Sequence, residues 1–221
     1  MKLLIQAITK FLLGFLLVAL LVFLPAGTLW FAKGWLLMGL LFVPMFIAGL
    51  VMLVKSPAFL AKRLDVKEKQ ATQKGVVAFS GLIFLAGFVI AGLDYRFGWS
   101  VMPLPVTVSA SVLFVIAYIL YAEVMRENAY LSRTIQVQEG QKVVDTGLYG
   151  IVRHPMYSAT ILLFGMIPLV LGSWYSLIPF VFYPVIISVR LLDEEKLLSE
   201  ELAGYSEYKQ KVKYRLIPFI W

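Results

Sequence analysis

Cysteine is absent from all 221 residues, and histidine occurs once, at His154. The first absence excludes disulfides, thiolate metal sites, thiol catalysis and S-acylation. Together they leave only carboxylates to ligate a metal ion, so no metal is expected. Charge is scarce too: 15% of residues are Asp, Glu, Lys or Arg against 61% hydrophobic, and the mean hydropathy is +0.86. That balance belongs to an integral membrane protein rather than a soluble domain. Acids are the scarcer sign, 13 against 20 bases, for a formal charge of +7. In an apolar chain such an excess reports topology and contact with anionic membrane lipid, and no nucleic-acid partner is expected. Internal repeats are also missing, which argues against an inverted-repeat transporter.

What is present is a series of long apolar runs. Phe11 to Phe31 and Trp35 to Val54 carry no charge, and only Ala32-Lys33-Gly34 separates them. Each is long enough to span a bilayer, and together they predict a tight antiparallel pair. Lys2, Lys10 and the small Ala26-Gly27 resemble a secretory signal, but the run's length and the immediate return span favour an uncleaved helix. Val76 to Leu93 and Pro105 to about Ala122 predict a second pair, joined through a connection that holds Asp94, Arg96 and Trp99. With the N-terminus inside, the short outer connections hold only Lys33 and Arg96 of the 20 basic residues, which orients the protein with both termini cytoplasmic. The segment from Lys55 to Lys74 contains Lys55, Lys62, Arg63, Lys67, Lys69 and Lys74 against Asp65 and Glu68. It reads as a topology determinant and a lipid-facing amphipathic stretch.

The chain is most informative from Gly147-Leu148-Tyr149-Gly150 through Arg153-His154-Pro155-Met156-Tyr157, because an uncharged run follows as far as Arg190. As one helix the residues between Arg153 and Arg190 would form a rod of about 55 Å, against a hydrocarbon core of about 30 Å. A reversal around Pro168 to Ser173 resolves the mismatch and returns both polar clusters to one side of the membrane. The expected fold is all-α: a polytopic bundle of four N-terminal spans plus a C-terminal helical hairpin, forming one domain over residues 1–221. A cytoplasmic pocket would be made by the hairpin and its flanks.

Three stretches carry a family likeness. Gln138 to Tyr157 with its Arg-His-Pro-Met-Tyr core, the Arg190 to Glu195 cluster, and the ending Gly204-Tyr205-Ser206-Glu207-Tyr208 to Arg215-Leu216-Ile217-Pro218 resemble the isoprenylcysteine carboxyl methyltransferase family. The related membrane phospholipid methyltransferases are similar. The resemblance covers about residues 127–221, and the preceding helices match only in being hydrophobic. It implies an S-adenosylmethionine-dependent methyltransferase, with cofactor contacts at His154, Pro155, Met156, Tyr157 and Tyr149. Gln138, Gln141, Lys142, Val143 and Val144 would add to them, as would an acidic contact at Glu194 or Glu195. Arg190 is implied as the acceptor-binding arginine, and Arg190 and Arg153 are the positions assigned to catalysis. The acceptor implied is a hydrophobic or lipidic small molecule bearing a carboxylate or an amine.

The residues read alone are compatible with that assignment and with plainer ones. Arg190 and Glu194 fall on one face of a continuing helix. An arginine grips a carboxylate through paired charge-assisted hydrogen bonds, and a glutamate binds amino or hydroxyl groups. Equally, Arg153-His154-Pro155 describes an interfacial helix start with Arg153 on a lipid phosphate. The acids after Arg190 describe a solvated helix end. Glu123 would pair with Arg126 or Arg153, while Asn128 and Arg133 would either line the pocket or only form a turn. A nicotinamide-dependent membrane reductase and a non-enzymatic membrane interaction protein remain the alternatives.

Overall fold

A computed structural model describes residues 1–64, 71–132 and 134–221, and among them every regular element is helical. In order these are α1 (Lys2–Ala26), α2 (Ala32–Lys55), α3 (Pro57–Leu64), α4 (Ala71–Phe97), α5 (Leu104–Glu127), a 3₁₀ turn (Gly147–Gly150), α6 (Pro155–Leu171), α7 (Leu177–Phe180), α8 (Tyr183–Glu201) and α9 (Tyr205–Lys211). Helices α1, α2, α4 and α5 are each long and apolar enough to cross a membrane. Leu12, Leu13, Leu16, Leu17 and many similar residues face outward, as a lipid solvent requires. Asp65, Lys67, Glu68, Lys69 and Arg133 lie outside the described residues.

The helix limits differ from the apolar runs. Helix α1 starts at Lys2 rather than Phe11, because the early lysines lie on its exposed or half-buried turns. It stops at Ala26 rather than Phe31, where Gly27 donates its N–H to the Phe23 and Leu24 carbonyls. Proline in the first turn sets the starts of α5, α6 and α8, where no intrahelical N–H is lost.

Packing does not follow sequence adjacency. Helix α1 lies chiefly against α4, and α6 chiefly against α5. Gly92 accounts for the first contact: a Cβ there would stand 2.6 Å from the Val22 carbonyl oxygen and 2.9 Å from the Pro25 Cβ. On the second, the buried Ala110, Ala117 and Ala159 keep the α5–α6 backbones close, as small residues do where lipid offers no hydrophobic drive to associate. Tyr118 donates its hydroxyl to the Leu41 carbonyl at 2.7 Å and ties α5 to α2.

The expected reversal near Pro168 to Ser173 is present, since α6 ends at Leu171 and the chain returns through α7 into α8. Its two arms touch little, because α5 takes the face of α6 while α8 rests chiefly on α4. At this turn Asp94 is buried and accepts hydrogen bonds from Ser100 N (2.7 Å), Ser100 Oγ (2.6 Å) and Ser173 Oγ (2.5 Å). A buried carboxylate so satisfied fastens the α4–α5 connection to the α6–α7 turn. The opposite end of the bundle carries the polar residues of the last two helices.

Candidate functional site

At that opposite end a cleft of about 850 Å³, counting its open mouth, lies between the end of α5, the 128–149 connection, the first turn of α6 and the polar half of α8. The chain enters α6 through Arg153 and His154, whose N–H groups donate to the carbonyls of Tyr214 and Arg215 at 2.9 Å each. Ser158 Oγ donates to the Leu216 carbonyl at 2.6 Å. The C-terminal segment thus supplies partners where the helix start has none of its own.

Glu195 is the electrostatic centre beneath the cleft. Its carboxylate accepts from Arg153 Nε at 2.6 Å and from Arg215 Nε at 2.9 Å, with His154 Nε2 at 3.3 Å. Burial opposes its ionisation, but the hydrogen bonds from His154, Arg153 and Arg215 outweigh that and hold its carboxyl well below the usual carboxylate range. Arg153 is buried and further committed: its Nη1 donates to the carbonyls of Val212 (2.8 Å) and Lys213 (3.0 Å). It borders the cleft with its guanidinium engaged behind it.

Glu194, one residue earlier, lines the cleft and accepts from Tyr157 Oη at 2.5 Å. Tyr157 in turn accepts from Arg190 Nε at 3.1 Å. Arg190 Nη1 donates to Gln73 Oε1 at 2.9 Å, and Gln73 Nε2 donates to Asp193 Oδ2 at 2.5 Å. The wall of the cleft is therefore a hydrogen-bonded chain from α6 through α8 to α4.

The 3₁₀ turn brings Tyr149 to the same place. Glu127 accepts the Leu148 N–H with both oxygens, at 3.2 and 3.0 Å, and so fixes the turn. Gly147 has φ 53°, and any side chain on it would run into the Glu127 carboxylate. Asn128 Nδ2 donates to Tyr149 Oη at 3.0 Å, and Tyr208 Oη donates to the Tyr149 carbonyl at 2.7 Å. Burial first, then the carboxylates of Glu195 and Glu194, raise the Tyr205 phenol above its ordinary value, and burial does the same for Tyr149. Both stay protonated donors.

Among the sequence candidates, Gln141, Lys142, Val143, Val144, Tyr149, Arg153, His154, Met156, Tyr157, Arg190 and Glu194 border this cleft. Gln138, Pro155 and Glu195 do not. Gln138 Oε1 accepts from Lys62 Nζ at 2.5 Å, its Nε2 donates to the Tyr130 carbonyl, and its N–H donates to Gln141 Oε1 at 2.9 Å, so it braces the lining segment. Asn128 lines the cleft, and Glu123 pairs with Arg126 at 2.5 Å. Within the described part of the basic segment, Lys62 meets Gln138, Arg63 meets the Tyr121 hydroxyl, and Phe59 packs on the Val124, Leu131 and Tyr149 cluster, while Lys55 and Lys74 are exposed. Gln73 was not foreseen, since an isolated glutamine beside a lysine at the start of an apolar run carries no pattern. Tyr205 and Tyr208, read only as part of a family-like ending, also line the cleft.

The model of the isoprenylcysteine carboxyl methyltransferase (ICMT) family matches residues 104–200. This span runs from the start of α5 nearly to the end of α8, and it includes all of the cleft lining except Leu202, Tyr205 and Tyr208. No curated protein matches the chain. Over the part that builds most of the cleft, the chain is therefore similar to the isoprenylcysteine carboxyl methyltransferase family.

Proposed function

We propose that this protein transfers a methyl group from S-adenosylmethionine to a carboxylate or amine of a hydrophobic or lipidic acceptor, at the cytoplasmic face of a membrane. The observation that carries the reading is convergence: residues from 141–157 and from 190–194, far apart in sequence, line one cleft in the region similar to a methyltransferase family. The donor set suits the cofactor. Met156, Val143, Val144 and Leu198 offer apolar contact, Tyr149 and Tyr205 offer rings and protonated hydroxyls, and Glu194 offers a carboxylate for an amino or hydroxyl group.

When bound, S-adenosylmethionine supplies an electrophilic methyl group on a sulfonium, which leaves as the acceptor's oxygen or nitrogen lone pair bonds to the methyl carbon. An ionised carboxylate needs no general base for this; alignment and exclusion of water are the main requirements. His154, Met156, Tyr157, Tyr149 and Gln141 to Val144 hold the cofactor in this reading, with Glu194 as the acidic contact. Arg190, oriented by Tyr157 and Gln73, grips and aligns the acceptor. Arg153 acts as a positioning residue, because Glu195 and two carbonyls occupy its guanidinium and it fixes the helix start that carries His154. The excess of Lys and Arg in the inner connections supports a cytoplasmic position for this end of the bundle, where a polar cofactor would enter from water and an apolar acceptor from lipid.

Calorimetric titration of the purified protein tests the proposal. Saturable binding of S-adenosylmethionine and none of NADPH is expected; binding of NADPH instead, or of neither, overturns it. Incubating membranes with methyl-labelled cofactor and extracting labelled lipid then identifies the acceptor.

A further inference from the structure

Past the cleft, the C-terminal segment ends in a tight loop whose apolar side chains point away from the protein. Ile217 is 52% exposed, Phe219 86% and Ile220 76%. The loop is ordered by its own contacts: Leu216 N donates to the Trp221 main-chain oxygen at 2.9 Å, Ile220 N donates to the Ile217 carbonyl at 3.2 Å, and the Tyr214 and Phe219 rings lie 5.4 Å apart. Phe219 has φ 66°, a left-handed conformation that a bulky residue rarely adopts. A strained backbone that presents an aromatic ring outward needs a reason outside the loop.

The depth of this loop is fixed by its neighbours. Leu216 belongs to the main core cluster with Tyr157 and Ile187, and its carbonyl is held by Ser158 in the first turn of α6. Ile187 precedes Arg190 and Glu194 along α8, on the apolar side of the polar onset. The loop therefore leaves the protein beside the first turn of α6, at the cleft end of the bundle. Lys211 and Lys213 are exposed on the chain leading to it, and Lys211 Nζ sits 2.7 Å from Asp145 Oδ2.

We infer that Ile217 to Trp221 form an interfacial anchor, with Phe219 and Ile220 inserted at the headgroup–acyl boundary of a leaflet whose anionic headgroups meet Lys211 and Lys213. An apolar tip beside exposed lysines is the pattern that such a surface attracts, through buried apolar area plus charge. The segment it anchors also supplies the Val212 and Lys213 carbonyls to Arg153 and the Arg215 guanidinium to Glu195. Lipid contact thereby steadies the floor of the cleft, independently of which ligand the cleft takes.

The cysteine-free chain permits a direct test in the full-length protein. A nitrobenzoxadiazole label on Phe219→Cys, and separately on Ile220→Cys, is compared with one on Glu207→Cys, an exposed site on α9. The proteins are reconstituted in phosphatidylcholine vesicles with and without phosphatidylglycerol. The expected result is a blue-shifted label at 219 and 220, quenching by spin-labelled acyl chains, and several-fold slower reduction by dithionite than at 207. The shielding increases with phosphatidylglycerol, and Lys211→Gln with Lys213→Gln removes that increase. Labels at 219 and 220 as accessible as the one at 207 overturn the anchor. Shielding that falls on dilution with lipid assigns the loop to a second copy of the chain and equally overturns it, and shielding indifferent to phosphatidylglycerol overturns the anionic surface.

Discussion

Glu194 and Glu195 are neighbours in sequence and differ in what they touch, because a helix turns about 100° per residue. Glu194 meets Tyr157 at the cleft, while Glu195 meets Arg153 and Arg215 behind it. Glu194→Gln is expected to weaken S-adenosylmethionine binding by about tenfold or more with the fold intact, the loss of one charge-assisted contact. Unchanged affinity in calorimetry would remove Glu194 from the cofactor site. Glu195→Gln leaves the buried Arg153 without its counter-charge, at a cost of about 3–5 kcal/mol, and thermal unfolding in detergent should register it. The pH dependence has a definite sign. Because the folded-state value of Glu195 is depressed, its stabilisation is complete above the ordinary carboxylate pKa and is lost as pH falls toward the folded value. Wild-type stability should therefore drop as pH falls below about 4.5, and the drop should be shallower in Glu195→Gln. Arg190→Ala should leave cofactor affinity largely intact and lower turnover by about 10²-fold or more, with Lys a poor substitute for the planar fork. Full activity in Arg190→Ala, or loss of cofactor binding with the fold retained, reverses the division of roles.

Among elements, α4 shows how a small residue decides which helices meet. Its Gly92 lies against the Val22 carbonyl oxygen and Ala26 N of α1, whereas a Cβ at Gly81 on the same helix would enter open space. Gly92→Val should force the two helices apart and cost about 1–3 kcal/mol in thermal or denaturant unfolding. Gly81→Ala should cost nothing, since helix propensity favours Ala by up to about 1 kcal/mol. Equal effects of the two would mean that α1 and α4 are not in close contact. Nothing in the local sequence of α4 announces this partner. Apolar runs identify helices, and short loops make consecutive helices antiparallel, but in a lipid solvent every span is hydrophobic on all sides and the pattern does not name the face that packs. The first helix shows the same limit at its ends, where lysines at positions 2 and 10 conceal a helix that already runs through them.

For the whole molecule, the reversal between α6 and α8 makes a topological prediction. Single cysteines at Gln141 and Gln210 should label from the same side of the membrane, and one at the exposed Trp174 from the other. Labelling of Gln141 and Gln210 from opposite sides is incompatible with a cleft shared by α6 and α8.

The sequence by itself determined the class of protein, the existence of the helices and the need for that reversal, because these follow from composition and from the mismatch between an uncharged run and the thickness of a bilayer. It also singled out the neighbourhood of the cleft, since Tyr149, His154, Tyr157, Arg190 and Glu194 stand in polar islands where an apolar chain has few. The tertiary structure alone decided which carboxylate faces the cleft and which is consumed by Arg153 and Arg215. Only there does Gln73 reach Arg190, and only there does the chain's end complete the start of α6. These are contacts between residues from 20 to 117 positions apart, fixed by helix rotation and close packing, and a linear pattern records neither.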